Sequence, residues 1–143
     1  MKKVFVSNCV EDTKKIGKNF AAQLNGGDVV ILGGELGAGK TAFSKGVAEG
    51  LSVSANVTSP TFAIHNVYQG RLRLDHFDFY RLDEAEAEAL GLNEFFGDKN
   101  AVSLIEWWTN IRYLLPKKCI FVDIKKTGEE EREITIDYEY TCY

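Results

Sequence analysis

Gly33-Gly34-Glu35-Leu36-Gly37-Ala38-Gly39-Lys40-Thr41 is the stretch from which the rest of the chain can be interpreted. It has a glycine, four further residues and then Gly-Lys-Thr, which is the spacing typical of a phosphate-binding loop. The apolar run 28–32 before it predicts a buried strand, and apolar residues at helical spacing in 41–51 predict a helix after it. A strand, a glycine-rich turn and a helix are the context that such a loop requires. The alternative is a flexible connection with an accidental lysine.

The residue types in this stretch suit the binding of a phosphate chain. Glycines allow a tight turn in which successive backbone N–H groups point inward, and the following helix directs its positive end to the same place. Lys40 would bring a charge to the β- and γ-phosphates, and Thr41 would offer a hydroxyl to Mg²⁺. The stretch therefore predicts a nucleotide site.

Composition excludes several classes of protein. With 143 residues, of which 45% are hydrophobic and 27% charged, the chain is typical of a single globular domain, 1–143. It contains neither an apolar run of membrane-spanning length nor an N-terminal signal-peptide region, so we expect a cytoplasmic protein. The net charge of −4 argues against tRNA binding by this chain alone. Three cysteines without metal-site spacing predict reduced thiols.

Hydrophobic patterning predicts an α/β fold with three layers and a mixed central sheet. Two alternating segments, 62–68 and 71–77, flank Gln69-Gly70 and predict an antiparallel hairpin, so the sheet is not wholly parallel. Strands are predicted at 3–6, 28–32, 62–68, 71–77, 101–106, 119–124 and 132–138. Helices are predicted at 13–24, 41–51, 83–90 and 107–115.

Two acidic residues end apolar strands, where a metal ligand of a nucleotide site usually lies. They are Asp78 and Glu106, and either is able to bind metal or to orient an attacking water. The alternatives are a cap or a partner of Arg81 for Asp78, and a solvated strand end for Glu106. Asp75 is expected on the surface, and Asp123 is expected to have no role in the site.

Other polar and aromatic residues have less decisive interpretations. His76 is either a general base or, as we favour, a structural residue beside strand aromatics. Arg81 would stabilise a transferred phosphate or form a structural ion pair. The loop 58–61 is either a switch that closes over the γ-phosphate or a proline-containing turn. Of Trp107 and Trp108, one is expected in the core and the other on the surface.

Taken together, four ordered motifs resemble the TsaE (YjeE) family of bacterial P-loop ATPases. They are Gly34-Glu35-Leu36-Gly37-Ala38-Gly39-Lys40-Thr41, Thr58-Ser59-Pro60-Thr61-Phe62, His76-Phe77-Asp78-Phe79-Tyr80-Arg81-Leu82 and Leu104-Ile105-Glu106-Trp107. The resemblance implies a P-loop NTPase-like fold and a cytoplasmic, Mg²⁺-dependent ATPase. It also implies a role, with TsaB and TsaD, in forming the threonylcarbamoyl group on adenosine 37 of tRNAs that read codons beginning with adenosine. The family's ATPase activity is typically weak until those partners bind.

The same resemblance implies roles for particular residues. The catalytic residues would be Lys40, Asp78 and Glu106, and the metal residues Thr41, Asp78 and Glu106. The ATP-binding residues would be Glu11, Thr13, Gly34, Glu35, Leu36, Gly37, Ala38, Gly39, Lys40, Thr41, Ala42 and Arg132. Many family members have aspartate where this chain has Glu35, which is a conservative departure. The chain has no Asn-Lys-x-Asp or Thr-Lys-x-Asp segment of the kind that guanine-specific proteins use, so ATP is favoured over GTP.

Two other functions remain open from the sequence. A small-molecule kinase with the same loop would need a second substrate pocket and a lid, for which the chain leaves little room. A nucleotide-gated interaction module would bind ATP tightly without hydrolysing it.

Overall fold

The computed structural model describes residues 1–35, 37–58 and 63–143 and contains strands, α-helices and 3-10 helices in alternation. The strands are β1 Lys2–Ser7, β2 Val29–Gly33, β3 His65–Tyr68, β4 Arg73–Asp78, β5 Ala101–Glu106, β6 Lys118–Lys126 and β7 Arg132–Thr141. The α-helices are α1 Val10–Ala21, α2 Lys40–Gly50 and α3 Glu84–Ala89, and the 3-10 helices are Leu92–Phe95 and Trp108–Leu114. Among these residues, no helix is both long and apolar enough to cross a membrane.

The strands form one mixed sheet in the order β1-β7-β6-β2-β5-β4-β3. The central strand β2 runs parallel to both β5 and β6, and β4 runs parallel to β5. The pairs β1–β7, β6–β7 and β3–β4 are antiparallel. The predicted hairpin and the mixed sheet are therefore confirmed, although β3 begins only at His65, so residues 63 and 64 are not part of the strand as predicted. Phe62, where the prediction begins, lies outside the described residues.

Side chains that alternate along β2 pack into two separate cores, one on each face of the sheet. Val30 and Leu32 join α1 and α2 on one face, whereas Val29 and Ile31 join α3 and the second 3-10 helix on the other. Burial of each such side chain stabilises the fold by roughly 1.5–3 kcal/mol, which explains why an unbroken apolar run forms the central strand. The predicted three-layer α/β fold is confirmed.

Element boundaries differ from the predictions at several places, among them two helices and the end of β7, which extends to Thr141. Helix α1 begins at Val10, before the predicted cap, because the carbonyl of Cys9 accepts the N–H of Thr13 and closes the first turn. The helix ends at Ala21. The N–H groups of Gln23 and Leu24 then donate to carbonyls three residues earlier, which makes a tighter turn, and Leu24 at the end of this turn is still buried. The segment predicted as a helix at 107–115 is a 3-10 helix that starts only at Trp108.

Asp75 is buried, so its predicted position on the surface is wrong. Strand β4 has a paired strand on each edge, and all of its residues from Leu74 to Asp78 are buried, so other parts of the chain pack over both of its faces. The Asp75 carboxylate accepts hydrogen bonds from Nε and Nη2 of Arg73 at 3.1 and 3.0 Å and lies 3.2 Å from Nε2 of His65. The hydrogen bonds to Asp75 and then to Asp98 raise the pKa of Arg73. A paired guanidinium thus compensates the buried carboxylate.

Helices α1 and α2 approach each other closely through glycines. A Cβ atom on Gly46 would lie 2.0 Å from the carbonyl oxygen of Lys14, and one on Gly17 would lie 2.5 Å from that of Phe43. Real Cβ atoms do not come this close to backbone oxygen, so the two helices would have to separate. The close contact matters for the site because α2 carries Lys40 at its first residue.

We expect Gly46→Ala to destabilise the protein, although alanine is normally the better helix residue. The added methyl group meets backbone rather than a flexible side chain, so overpacking should cost about 1–3 kcal/mol of unfolding free energy and outweigh a helix-propensity gain of roughly 1 kcal/mol. Urea unfolding followed by circular dichroism measures the change. Lys15→Ala, at an exposed position of α1, is the matched control, and equal stability of both variants would contradict the prediction.

A candidate phosphate-binding site at the carboxyl end of the central strand

The glycine-rich stretch connects β2 to α2, as the sequence predicted. Gly39 precedes the helix with φ of 107°, and Gly34 follows the strand with φ of 142°. A Cβ atom on Gly34 would also lie 2.7 Å from the carbonyl oxygen of Ile124 on β6. Only glycine tolerates this combination of left-handed backbone and close approach. The turn is tight for that reason, and it directs the N-terminus of α2 to the carboxyl end of β2.

Both predicted acids lie at this same edge of the sheet. Asp78 and Glu106 are the last residues of the parallel strands β4 and β5, and their Cα atoms are paired across the two strands. Glu106 is also paired with Leu32 of β2, immediately before the glycine-rich turn. The two acids are 4% and 8% exposed, so the alternative of a solvated strand end is wrong for Glu106.

Lys40 links the turn to one of these acids. Its Nζ atom lies 3.9 Å from Oε1 of Glu106, and both side chains are mostly buried. The same Nζ atom lies 5.9 Å from the centre of the Trp107 ring. Lys40 and Trp107 also line a cleft of about 140 Å³ between the turn and the second 3-10 helix. The lysine therefore lies in the lining of this cleft and beside Glu106.

Glu106 has a second partner in His76, a pairing that sequence reasoning missed. Nε2 of His76 lies 2.9 Å from Oε2 of Glu106, and His76 is almost completely buried. In the part of the chain that the structure describes, Nδ1 of His76 is buried and has no hydrogen-bond partner. The spacing in the sequence could have indicated this pairing. His76 and Asp78 are two residues apart on β4, so they share the face of the sheet on which Glu106 lies.

Asp78 is held by its own local backbone. Its Oδ1 accepts the N–H of Tyr80 at 2.9 Å, and its N–H donates to the carbonyl of Ile64 at 2.8 Å. The first bond is an Asx-type turn, in which a short carboxylate bonds the backbone two residues on. This bond fixes the carboxylate beside Glu106 at the end of β4.

The oxygen donors available at this edge suit Mg²⁺. Thr41 is exposed in the first turn of α2, and the carboxylates of Asp78 and Glu106 lie at the ends of adjacent strands. Mg²⁺ prefers such hard oxygen ligands and usually binds one or two carboxylates together with substrate phosphates and water. The residues present therefore fit the metal, and their metal-binding roles remain predictions.

Comparison with known proteins places the chain in a family. A family model described as "Threonylcarbamoyl adenosine biosynthesis protein TsaE" matches residues 7–134. The chain belongs to the TsaE family. A Bacillus subtilis relative, a tRNA threonylcarbamoyladenosine biosynthesis protein TsaE, is 46% identical over 138 residues, covering 92% of this chain and 86% of the relative. A Treponema pallidum relative of the same description is 39% identical over 133 residues, covering 92% and 97%.

A solved structure supports the same assignment. The crystal structure of YdiB from Bacillus subtilis superposes with a TM-score of 0.85 at 40% sequence identity, covering 98% of this chain and 87% of that one. Sequence and structural similarity thus agree over nearly the whole chain, and the resemblance stated from the four motifs is confirmed.

The other residues that the TsaE resemblance assigns to ATP binding do not all lie at the glycine-rich turn. Thr13 is buried, and its Cγ2 would lie 3.7 Å from a Cβ atom on Gly39 of the turn. The Thr13 hydroxyl lies 2.6 Å from that of Ser7, whereas Glu11 is exposed in the first turn of α1. Arg132 lies against the turn and donates to its backbone carbonyls. Leu36 and the switch-loop residues 59–61 lie outside the described residues. Contacts of all these residues with a nucleotide remain predictions.

The two tryptophans lie as predicted, one in the core and one on the surface. Trp108 is 7% exposed and packs with Ile111 and Phe121 in the second core, whereas Trp107 is 47% exposed. Trp107 directly follows Glu106 and has a left-handed backbone with φ of 56°. A bulky residue rarely adopts this conformation without surrounding constraint. This backbone conformation turns the chain away from β5 and leaves the Trp107 ring exposed beside Tyr80, at a centroid distance of 4.7 Å.

Proposed function

We propose that the protein binds Mg²⁺ and ATP and hydrolyses ATP as an accessory subunit in tRNA threonylcarbamoyladenosine biosynthesis. We further propose that it acts with TsaB and TsaD, and that hydrolysis resets their assembly between turnovers. The observation that carries the proposal is the convergence at one sheet edge: Lys40 of the glycine-rich turn lies 3.9 Å from Glu106, and Asp78 is paired with Glu106 across the strands. Membership of the TsaE family supports the assignment to threonylcarbamoyladenosine biosynthesis.

The triphosphate would lie in the glycine-rich turn. Backbone N–H groups of the turn and the positive end of α2 would bind its oxygens, and Lys40 would contact the β- and γ-phosphates. In the present structure the Lys40 ammonium is paired with Glu106. A negatively charged phosphate chain offers it a stronger partner, so we expect Lys40 to move toward the phosphates when nucleotide binds.

Thr41 and Glu106 would bind the metal directly, and Asp78 would lie close to it. Bound Mg²⁺ supplies positive charge to the phosphate oxygens. The hydrogen bond from His76 holds one carboxylate oxygen of Glu106 at 2.9 Å and leaves the other oxygen toward Lys40. Because orientation of a ligand depends on such supporting bonds, His76 would fix the direction in which Glu106 faces the phosphates.

Hydrolysis would proceed by in-line attack of water on the γ-phosphorus. A bond forms between the water oxygen and phosphorus, the bond to the bridging β–γ oxygen breaks, and ADP leaves with that electron pair. Asp78 would orient the water, and both protons of the water end on the released phosphate, which then loses one of them to solvent. Lys40 and the turn N–H groups would stabilise the charge on the phosphoryl oxygens and the leaving oxygen, which is the main form of catalysis in phosphoryl transfer.

Phosphate release assays with purified components test this function. We expect slow release from the chain with ATP and Mg²⁺, faster release when TsaB and TsaD are added, and ATP-dependent threonylcarbamoyl transfer to tRNA that needs all three. Phosphate found on an added metabolite would indicate a small-molecule kinase instead. Tight ATP binding with no release in the complete mixture would indicate a non-catalytic interaction module.

We also expect the isolated chain not to bind tRNA appreciably. Its formal net charge of −4 opposes association with a phosphate backbone, and even non-specific binders depend on cationic contacts. Fluorescence anisotropy of labelled tRNA should give a dissociation constant weaker than about 100 μM at low salt, where charge effects are largest. Saturable binding to the chain alone that weakens steeply with added salt would contradict this expectation.

A further inference from the structure

Arg132 contacts the glycine-rich turn through the backbone carbonyls of the turn. It is the first residue of β7, and its Nε donates to the carbonyl oxygen of Ala38 at 2.8 Å. Its Nη2 donates to the carbonyl oxygen of Gly37 at 3.3 Å. Ala38 is 94 positions away along the chain. One side of the guanidinium group is therefore bonded to two consecutive carbonyls of the turn.

The other side of the same group is bonded to the turn between β6 and β7. Nη1 of Arg132 lies 3.2 Å from the carbonyl oxygen of Gly128, 3.1 Å from that of Glu129 and 2.9 Å from that of Glu131. These bonds anchor the guanidinium group, since a fork of fixed N–H donors that binds several acceptors has little freedom to rotate. Arg132 thus joins two turns that are far apart in sequence.

The carbonyl contacts determine where the N–H groups of the glycine-rich turn point. In a planar trans peptide, C=O and N–H point in opposite directions, and no peptide bond among the described residues is cis. The carbonyl of Ala38 faces Arg132, so the N–H of Gly39 faces away from it. The carbonyl of Gly37 also faces Arg132, and the N–H of Ala38 accordingly points into the turn, where it donates to the carbonyl of Glu35 at 3.0 Å.

Without this arginine, the two peptide units would have more freedom. Glycine populates right- and left-handed backbone conformations with similar ease, and both Gly37 and Gly39 have positive φ. The carbonyl oxygens would also keep their full partial negative charge close to a bound anion. A charge-assisted hydrogen bond to each carbonyl offsets that charge and orients the peptide.

We propose that Arg132 is a positioning residue that holds the glycine-rich turn in its anion-binding conformation. The proposal rests on the proposed function, because it assigns the anion to a bound nucleotide. Arg132 acts on the turn before nucleotide arrives and makes no contact with the γ-phosphate. The binding of ATP and the binding of ADP therefore depend on Arg132 equally. The conformation of the turn in the nucleotide-free protein depends on it as well.

The experiment compares Arg132→Gln and Arg132→Lys with Lys126→Gln. Lys126 is the cross-strand neighbour of Arg132 on β6, and its substitution by glutamine removes the same charge at the same end of the sheet. Hydrogen exchange is measured on the nucleotide-free chain for the peptide that covers 37–43. Calorimetric titration then gives dissociation constants for ATP and ADP, and thermal unfolding establishes that each variant is folded.

In Arg132→Gln we expect exchange across 37–43 to accelerate about tenfold, and the ATP and ADP dissociation constants to rise by the same factor, about tenfold. Arg132→Lys, which keeps the charge but not the forked bonds, should have an intermediate effect, and Lys126→Gln should change neither quantity by more than about twofold. Unchanged exchange in both Arg132 variants, a loss restricted to ATP, or an equal loss in Lys126→Gln would overturn the proposal. If the unaltered chain binds neither nucleotide, the proposed function fails, and the exchange measurement still tests Arg132.

Discussion

Substitution of Lys40 by alanine is expected to lower ATP turnover by about 10²–10³-fold in the presence of TsaB and TsaD, the magnitude typical for removal of one group that stabilises transition-state charge. Lys40 is the first residue of α2, its side chain is 15% exposed, and its ammonium group already lies 3.9 Å from Glu106. No solvent molecule can supply an equivalent fixed charge at this position. ATP affinity should also fall, because the lysine is expected to bind phosphates in the ground state.

The measurement is steady-state phosphate release across a range of ATP concentrations, which separates kcat from KM. Lys45→Ala is the matched control, since it removes the same charge from an exposed position on the same helix. We expect that control to retain turnover within about twofold, because exposed charges away from the site contribute little. If Lys40→Ala turned over ATP as fast as Lys45→Ala, the phosphate site would not lie in the glycine-rich turn.

Substitution of Glu106 by glutamine is the second change with a large expected effect. The amide keeps the size of the side chain and can still bond His76, but it removes the negative charge that would face Mg²⁺. We expect turnover to fall by about 100-fold and the Mg²⁺ concentration for half-maximal turnover to rise by at least about tenfold. Nucleotide binding measured without metal should change far less, since Glu106 would contact the metal and not the phosphates.

Titration of turnover with Mg²⁺ at saturating ATP tests this prediction. Asp123→Asn is the matched control, because Asp123 is an exposed residue of β6 paired with Gly33, the last residue of β2, and the substitution removes the same charge. The control should leave the Mg²⁺ dependence unchanged. An identical shift in both variants would show that general negative charge at this edge, rather than the Glu106 carboxylate, governs metal binding.

Features that depend on residues close together in the sequence were predictable from the sequence. The glycine-rich stretch required a strand before it and a helix after it, and the structure has β2 and α2 there. The alternating segments around Gln69-Gly70 form β3 and β4, and the apolar run 101–106 is β5 with the predicted boundaries. The placement of Asp78 and Glu106 at one edge followed from a general property of parallel strands, whose carboxyl ends meet on the same side of a sheet.

Features that depend on contacts between distant segments were decided only by the tertiary structure. The burial of Asp75 depends on packing over its face of β4 by other segments, one of which brings His65 within 3.2 Å of it, and the His76–Glu106 bond joins residues 30 positions apart. The family resemblance implied that Arg132 contacts the nucleotide, which remains a prediction, but nothing in the sequence indicated its bond to the carbonyl of Ala38, 94 positions away. Local patterns report the backbone conformation and the buried face of one segment. They contain no information on which side chain of another segment meets it, because that depends on strand order and helix packing in the assembled fold.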